Sequence, residues 1–263
     1  MKVDVRVIQL EMTRQESGES RMQRVEQLLK AQKGADLILL PEMWKCGFHS
    51  AENYYSYAED TDGPTVQMLS AMAAELGAYI FGGSIITNEG DTYYNTSLMF
   101  DRKGRLIATY NKMHLFGFES IESRLLTAGE EVVCVDTDFG RVGLSTCYDM
   151  RFPEQYRRMV EMGAKILLVA ADWPERRLEH WKLFNRTRAL ENQSFLISCN
   201  TASAEDRSHP KPHAGHSMIV GPEGEVLAEA GDREEVLQYI IDTNDVRKYR
   251  SSFPALADRV KIE

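Results

Sequence analysis

The chain has 263 residues, 43% of them hydrophobic, and a formal net charge of −9 at pH 7. That length buries enough apolar surface to fold without disulfide or metal staples. The acidic balance argues against a nucleic-acid or anionic-membrane partner, since either selects a basic patch. The cysteines at 46, 134, 147 and 199 lack the close spacing of a disulfide framework. No stretch near the N-terminus resembles a signal peptide, and no apolar run approaches the roughly 18–20 residues that span a bilayer. Free thiols in a soluble, cytoplasmic setting are therefore expected.

Val3, Val5, Val7 and Ile8 predict an opening strand, and Ser17 and Ser20 offer caps for a helix carrying Met22, Val25, Leu28 and Leu29 up to Gly34. Leu37–Leu40 reads as a short strand buried on both faces, stopping at Pro41-Glu42. A helix is expected from Pro64 to Leu76, closed by Gly77 at C′. Strands follow at Tyr79–Ile86, Thr92–Phe100 and Leu106–Tyr110, with Gly104 in the last turn. A hairpin is expected to pair 132–135 with 142–145 around Asp138-Phe-Gly140, followed by a helix over 152–162 and a buried strand over 166–170. The remaining expectations are a helix over 176–191 and strands over 195–199, 216–220, 226–228 and 236–241. No internal repeat, low-complexity tract or linker interrupts them. β-α-β units mixed with hairpins predict one domain over 1–263, with helices covering two packed sheets.

Three ionisable residues stand directly after strands: Glu42, Lys112 and Cys147. Strand ends in helix-covered sheets are where binding crevices form. A thiol between a strand and a helix start also feels the helix dipole, which is expected to lower its pKa. A carboxylate can take the thiol proton, an ammonium can stabilise a developing oxyanion, and the same carboxylate can then activate water. Such a set cleaves amides without metal or cofactor. Singly, each residue has a plainer reading: a buried apolar thiol, a helix-start carboxylate, a solvated lysine. A Cys–His dyad using His114 is the competing arrangement. His209, His213 and His216 lie close in sequence but do not make a metal site the preferred reading. Asp149 and Arg151, flanking Cys147, are expected to form an ion pair that supports the turn. Gly82 and Gly83 lack the spacing of a nucleotide loop.

Leu39-Leu-Pro-Glu42, Tyr110-Asn-Lys112-Met-His-Leu-Phe116 and Gly143-Leu-Ser-Thr-Cys147-Tyr-Asp-Met-Arg-Phe-Pro-Glu154 resemble the three signature segments of the nitrilase superfamily. The likeness continues through Ala171-Asp-Trp-Pro174, His180-Trp181, Arg188–Asn192 and Gly215-His-Ser-Met218. It implies a four-layer α-β-β-α sandwich of two mixed sheets covered by helices, and a homodimer. It also implies Glu42 as general base, Cys147 as nucleophile, and Lys112 with the Tyr148 backbone N–H as oxyanion hole. A second active-site glutamate is implied at Glu122, with Glu119 as its competitor.

Asp172-Trp-Pro174 with His180-Trp181 most resembles the omega-amidase branch. That likeness implies hydrolysis of the terminal amide of a small 2-oxo dicarboxylic acid monoamide, with ammonia released. Such a substrate calls for a cation, and Arg176 or Arg177 can supply it; Phe116, Tyr148 and Trp173 are the expected pocket walls. Asn is common in this branch where this chain has Asp172, so a negative charge is expected near the pocket mouth. The alternatives are another small substrate (an N-carbamoyl amino acid, an aliphatic amide or a nitrile) or a non-catalytic interaction protein that retains the fold.

Overall fold

The computed structural model describes residues 1–13, 15–118, 120–203 and 212–260. The chain opens with β1 (Lys2–Gln9) and the short β2 (Glu11–Met12). Ser17 then caps α1 (Gly18–Lys30) by accepting the Ser20 N–H, as a hydroxyl at that position favours. Gly34, at φ 87°, turns the chain toward β3 (Leu37–Leu39). Pro64 at the first helical position and Gly77 in the left-handed region (φ 61°) bound α2 (Pro64–Leu76). Three antiparallel strands follow: β4 (Tyr79–Glu89), β5 (Thr92–Phe100) and β6 (Leu106–Asn111). After the one-turn α3 (Glu122–Leu125), β7 (Cys134–Thr137) pairs with β8 (Gly140–Thr146). That hairpin is tighter than expected, because Thr137 and Gly140 pair across only Asp138 and Phe139.

The second half runs α4 (Pro153–Glu161), β9 (Ile166–Ala170), α5 (Leu178–Asn192), β10 (Phe195–Cys199) and the short β11 (Ala202–Ser203). It finishes with β12 (Met218–Val220), β13 (Val226–Glu229), β14 (Glu235–Asp242) and α6 (Asn244–Ser252). Two further boundaries and one element depart from expectation for identifiable reasons. A 3-10 turn over Glu175–Arg177 delays α5 to Leu178. Left-handed His216 (φ 51°) keeps β12 from starting before Met218. The closing α6 is absent from that reading, because a helix burying only Val246 carries almost no apolar periodicity.

Twelve of the strands form two six-stranded mixed sheets, ordered β14-β1-β3-β4-β5-β6 and β13-β12-β10-β9-β8-β7, while β2 and β11 pair in parallel on their own. Their inner faces meet in one apolar layer, with Val5, Leu39 and Phe81 on one side and Leu144, Leu168 and Ile197 on the other. α1 and α2 cover the outer face of the first sheet through Val25, Leu29, Leu69 and Met72, packed on Ile8, Ile38 and Ile80. α4 and α5 cover the second through Tyr156, Met159, Trp181 and Ala189, packed on Leu167, Val169 and Leu196. Every residue of β3, β9 and β10 is buried, as expected of central parallel strands clothed on both faces. The result is the α-β-β-α sandwich.

Candidate active site

The two sheets meet at their strand ends through a small number of polar links. Glu42 N–H donates to the Ala171 carbonyl (3.4 Å), and the hydroxyls of Ser97 and Thr146 bond across the sheets (2.9 Å). Glu42 follows β3, Lys112 follows β6, Cys147 follows β8 and Asp172 follows β9, so four chain ends converge. Gly83 makes room for one of them. It is left-handed (φ 64°), and a Cβ there would run into the Pro41 carbonyl oxygen, which instead accepts the Ser84 N–H at 3.2 Å.

Lys112 sits at the centre of the charges, fully buried. Its Nζ donates to Glu42 Oε1 at 2.8 Å and to Glu122 Oε1 and Oε2 at 3.0 and 2.9 Å. Asn95 Nδ2 bonds the same two carboxylates, at 2.9 and 2.8 Å. Glu42 Oε2 accepts the Asp172 N–H (2.9 Å), and Glu122 Oε2 accepts the Phe116 N–H (2.7 Å). Glu122 is thus a second carboxylate on Lys112, while Glu119 lies outside the described residues. Burial, only partly offset by Lys112, pushes the Glu42 carboxyl up to about 7. Burial alone would depress Lys112, but Glu122 and Glu42 hold its ammonium well above the usual lysine range.

Cys147 has φ 46° and opens a 3-10 turn over Cys147–Arg151, a left-handed geometry that costs a non-glycine residue strain and marks functional turns. Thr146 and Asp149 close the start of that turn with a capping box. Cys147 Sγ lies 3.8 Å from the Asp172 carbonyl. The expected lowering of its pKa is wrong. Burial, then the Glu42 carboxylate, pushes the thiol well up, and Lys112 only partly counters them. The balance favours the neutral thiol at Cys147. Tyr148 is the second residue of the turn, where N–H groups lack a partner within the turn itself.

Asp149 does not pair with Arg151. It accepts from Tyr110 Oη (2.6 Å), from the Thr146 N–H (2.8 Å) and, through its other oxygen, bonds His114 Nδ1 (2.8 Å). His114, the alternative catalytic histidine, is committed to that carboxylate and stacks on Phe152 at 3.7 Å between ring centroids. Released from Asp149, the Arg151 guanidinium lies over the Trp173, Phe184 and Tyr148 rings at 4.9, 5.2 and 5.7 Å. His213 and His216 bond different carboxylates, Asp172 at 2.9 Å and Glu229 at 2.7 Å; His209 lies outside the described residues. All four cysteines are free thiols.

A cavity of about 440 Å³ opens over Cys147, walled by Phe48, Phe116, Tyr148 and Trp173 and flanked by Arg151, Arg176 and Arg177. The expected wall residues Phe116, Tyr148, Trp173 and Arg176 all reach it. Arg151 is an addition that sequence reasoning had assigned to the turn. The Asp172 carboxylate, expected to place charge at the mouth, is turned inward: its side chain is only 1% exposed, held by His213 and with His49 Nε2 at 4.0 Å.

A two-sheet sandwich with a buried thiol, carboxylate and ammonium at one rim describes a hydrolase rather than a binding module. The carbon-nitrogen hydrolase family model matches residues 4–251. A 2-oxoglutaramate amidase of Paenarthrobacter nicotinovorans is 37% identical over 98% of this chain and 90% of its own length. A second 2-oxoglutaramate amidase, from Bacillus subtilis, is also 37% identical, over 87% of this chain and 86% of that protein. Among solved structures, Saccharomyces cerevisiae Nit3, a member of branch 10 of the nitrilase superfamily, superposes with a TM-score of 0.86. It is 31% identical and covers 96% of this chain and 94% of its own. The chain belongs to the carbon–nitrogen hydrolase family of the nitrilase superfamily and is a carbon–nitrogen hydrolase.

Proposed function

We propose that this enzyme hydrolyses the terminal amide of a small 2-oxo dicarboxylic acid monoamide such as 2-oxoglutaramate, releasing ammonia. The observation that carries the mechanism is Lys112 Nζ clamped between Glu42 and Glu122 within 3.0 Å, next to the Cys147 thiol. Glu42, with its carboxyl near 7, is matched to accept the Cys147 proton at neutral pH as Sγ attacks the amide carbon. The tetrahedral oxyanion is stabilised by Lys112 and the Tyr148 N–H. Glu42 returns the proton to the nitrogen, the C–N bond breaks, and ammonia leaves a Cys147 thioester. Glu42 then takes a proton from water as its oxygen attacks the thioester, which releases the acid and restores the thiol. Glu122 keeps Lys112 charged and in place.

The three arginines at the cavity favour a substrate with a carboxylate distal to the amide. Burial, then the neighbouring Arg177 charge, depresses Arg151; an anion bound between them offsets both effects. The substrate names of the two amidase relatives agree with this chemistry. Purified enzyme is expected to release ammonia from 2-oxoglutaramate, and Cys147→Ala is expected to abolish that release. Turnover of simple nitriles or N-carbamoyl amino acids in its place would overturn the substrate and leave the family intact.

Leu183 and Leu190, 63% and 48% exposed on α5, support pairing of two copies, checked by sedimentation velocity. The free thiols support a reducing, cytoplasmic setting, checked by cell fractionation. Among the described residues no helix is long and apolar enough to cross a membrane.

A further inference from the structure

The backbone of residue 172 touches both reacting groups: its N–H donates to Glu42 Oε2 (2.9 Å), and its carbonyl accepts from Cys147 Sγ (3.8 Å). It spans the gap between Glu42 and Cys147, and it is held both by the Trp173 N–H donating to Asn200 Oδ1 (2.7 Å) and by the Asp172 side chain. The Asp172 carboxylate is buried and bonds His213 Nδ1 at 2.9 Å, and the same nitrogen lies 3.1 Å from Thr201 Oγ1. The His213 backbone is itself anchored. Its N–H donates to Ser203 Oγ (2.7 Å) and its carbonyl accepts from that hydroxyl (3.1 Å). The flanking segments bridge antiparallel at Pro174 and His213, closed by Ala214 N–H to the Trp173 carbonyl (2.7 Å) and Glu175 N–H to the Pro212 carbonyl (2.8 Å).

We infer that Asp172 and His213 form a positioning pair, tying the segment after β11 to the peptide that holds Glu42 against Cys147. Neither side chain enters the chemistry. Together they set where the 172 N–H and carbonyl stand, and a displacement on the order of 1 Å at such a contact costs about a hundredfold in rate. The inference rests on the roles given above to Glu42 and Cys147.

The test compares His213→Ala, Asp172→Ala, the double variant and His213→Asn, whose side-chain amide presents a donor where Nδ1 stands. Two readouts are used: kcat and KM for ammonia release from 2-oxoglutaramate, and the substrate-independent rate of iodoacetamide alkylation at Cys147, located by peptide mapping. Melting temperature reports folding. Each alanine variant is expected to lower kcat and the alkylation rate at least about tenfold with KM changed less than about twofold. The double variant should be no worse than the singles, as for residues acting as one unit, and His213→Asn should recover most of both rates. The inference is overturned if the alanine variants keep wild-type alkylation and kcat, or if His213→Asn is as impaired as His213→Ala, which reduces the imidazole to packing. Failure of the underlying mechanism looks different: in the wild-type enzyme Cys147 would alkylate no faster than Cys46, Cys134 or Cys199.

Discussion

The two sheets contribute unlike things to the site. The first supplies Glu42, Asn95 and Lys112, all fully buried and linked, with Glu122, by hydrogen bonds of 2.8–3.0 Å. The second supplies the strained Cys147, the aromatic Tyr148 and Trp173, and Arg151 held by ring faces. One side is a buried network in which Lys112 and the Asn95 amide N–H are committed to two carboxylates before any substrate arrives, so its electrostatics cost little rearrangement during reaction. On the other, the Arg151 guanidinium lies against ring faces, with Nη2 3.5 Å from His180 Nδ1, at the edge of the cavity where an anion can meet it. The first half thus brings the carboxylates and the ammonium, and the second brings the thiol and the cavity walls.

The sharpest way to break that contrast is Lys112→Ala. It abolishes turnover and leaves two buried carboxylates facing each other, a loss of about 3–5 kcal/mol in stability by analogy with broken buried pairs; denaturant melts and ammonia assays read both. Glu42→Gln keeps the shape but not the base, so kcat should fall by about 10²–10⁴. In the wild-type enzyme kcat/KM should decline as pH drops below about 7, because protonated Glu42 cannot accept the thiol proton. That limb disappears from any residual activity of Glu42→Gln, which a pH–rate profile checks. Glu122→Gln keeps one hydrogen bond to Lys112 but removes a charge, and a smaller drop in kcat, about 10-fold to 100-fold, is expected. On the stacked half the effects should fall on KM. Arg151→Gln should raise KM for 2-oxoglutaramate by at least about tenfold, with a smaller rise for an uncharged amide of the same length. Were Arg151→Gln to lower kcat with KM intact, the division between the halves would be wrong.

Much of the site was legible because its residues lie where strands stop. Glu42, Lys112 and Cys147 each follow a strand, and Gly77 closes α2 with the left-handed turn that its neighbours predict. What escaped were relations between distant segments. Asn95 sits mid-strand, a position from which asparagine is usually depleted; that was a signal, but its two carboxylate partners are 53 and 27 positions away. Adjacency in sequence pairs Arg151 with Asp149, whereas Tyr110 and His114 arrive from β6 and the loop beyond it to take that carboxylate. The pKa of Cys147 was argued from a helix dipole. Burial against Glu42 outweighs it, and no local pattern reports burial.

Gly83 carries a lesson for anyone mapping tolerance to substitution. It has no side chain and takes no part in the reaction, yet any Cβ there presses on the Pro41 carbonyl, one residue from the base. In a saturation screen read by activity, this position should score as intolerant as the catalytic residues themselves. A reader of such a map would then count a piece of backbone among the chemical groups. Comparing abundance with activity separates the two: Gly83→Ala should cost both, Cys147→Ala activity alone.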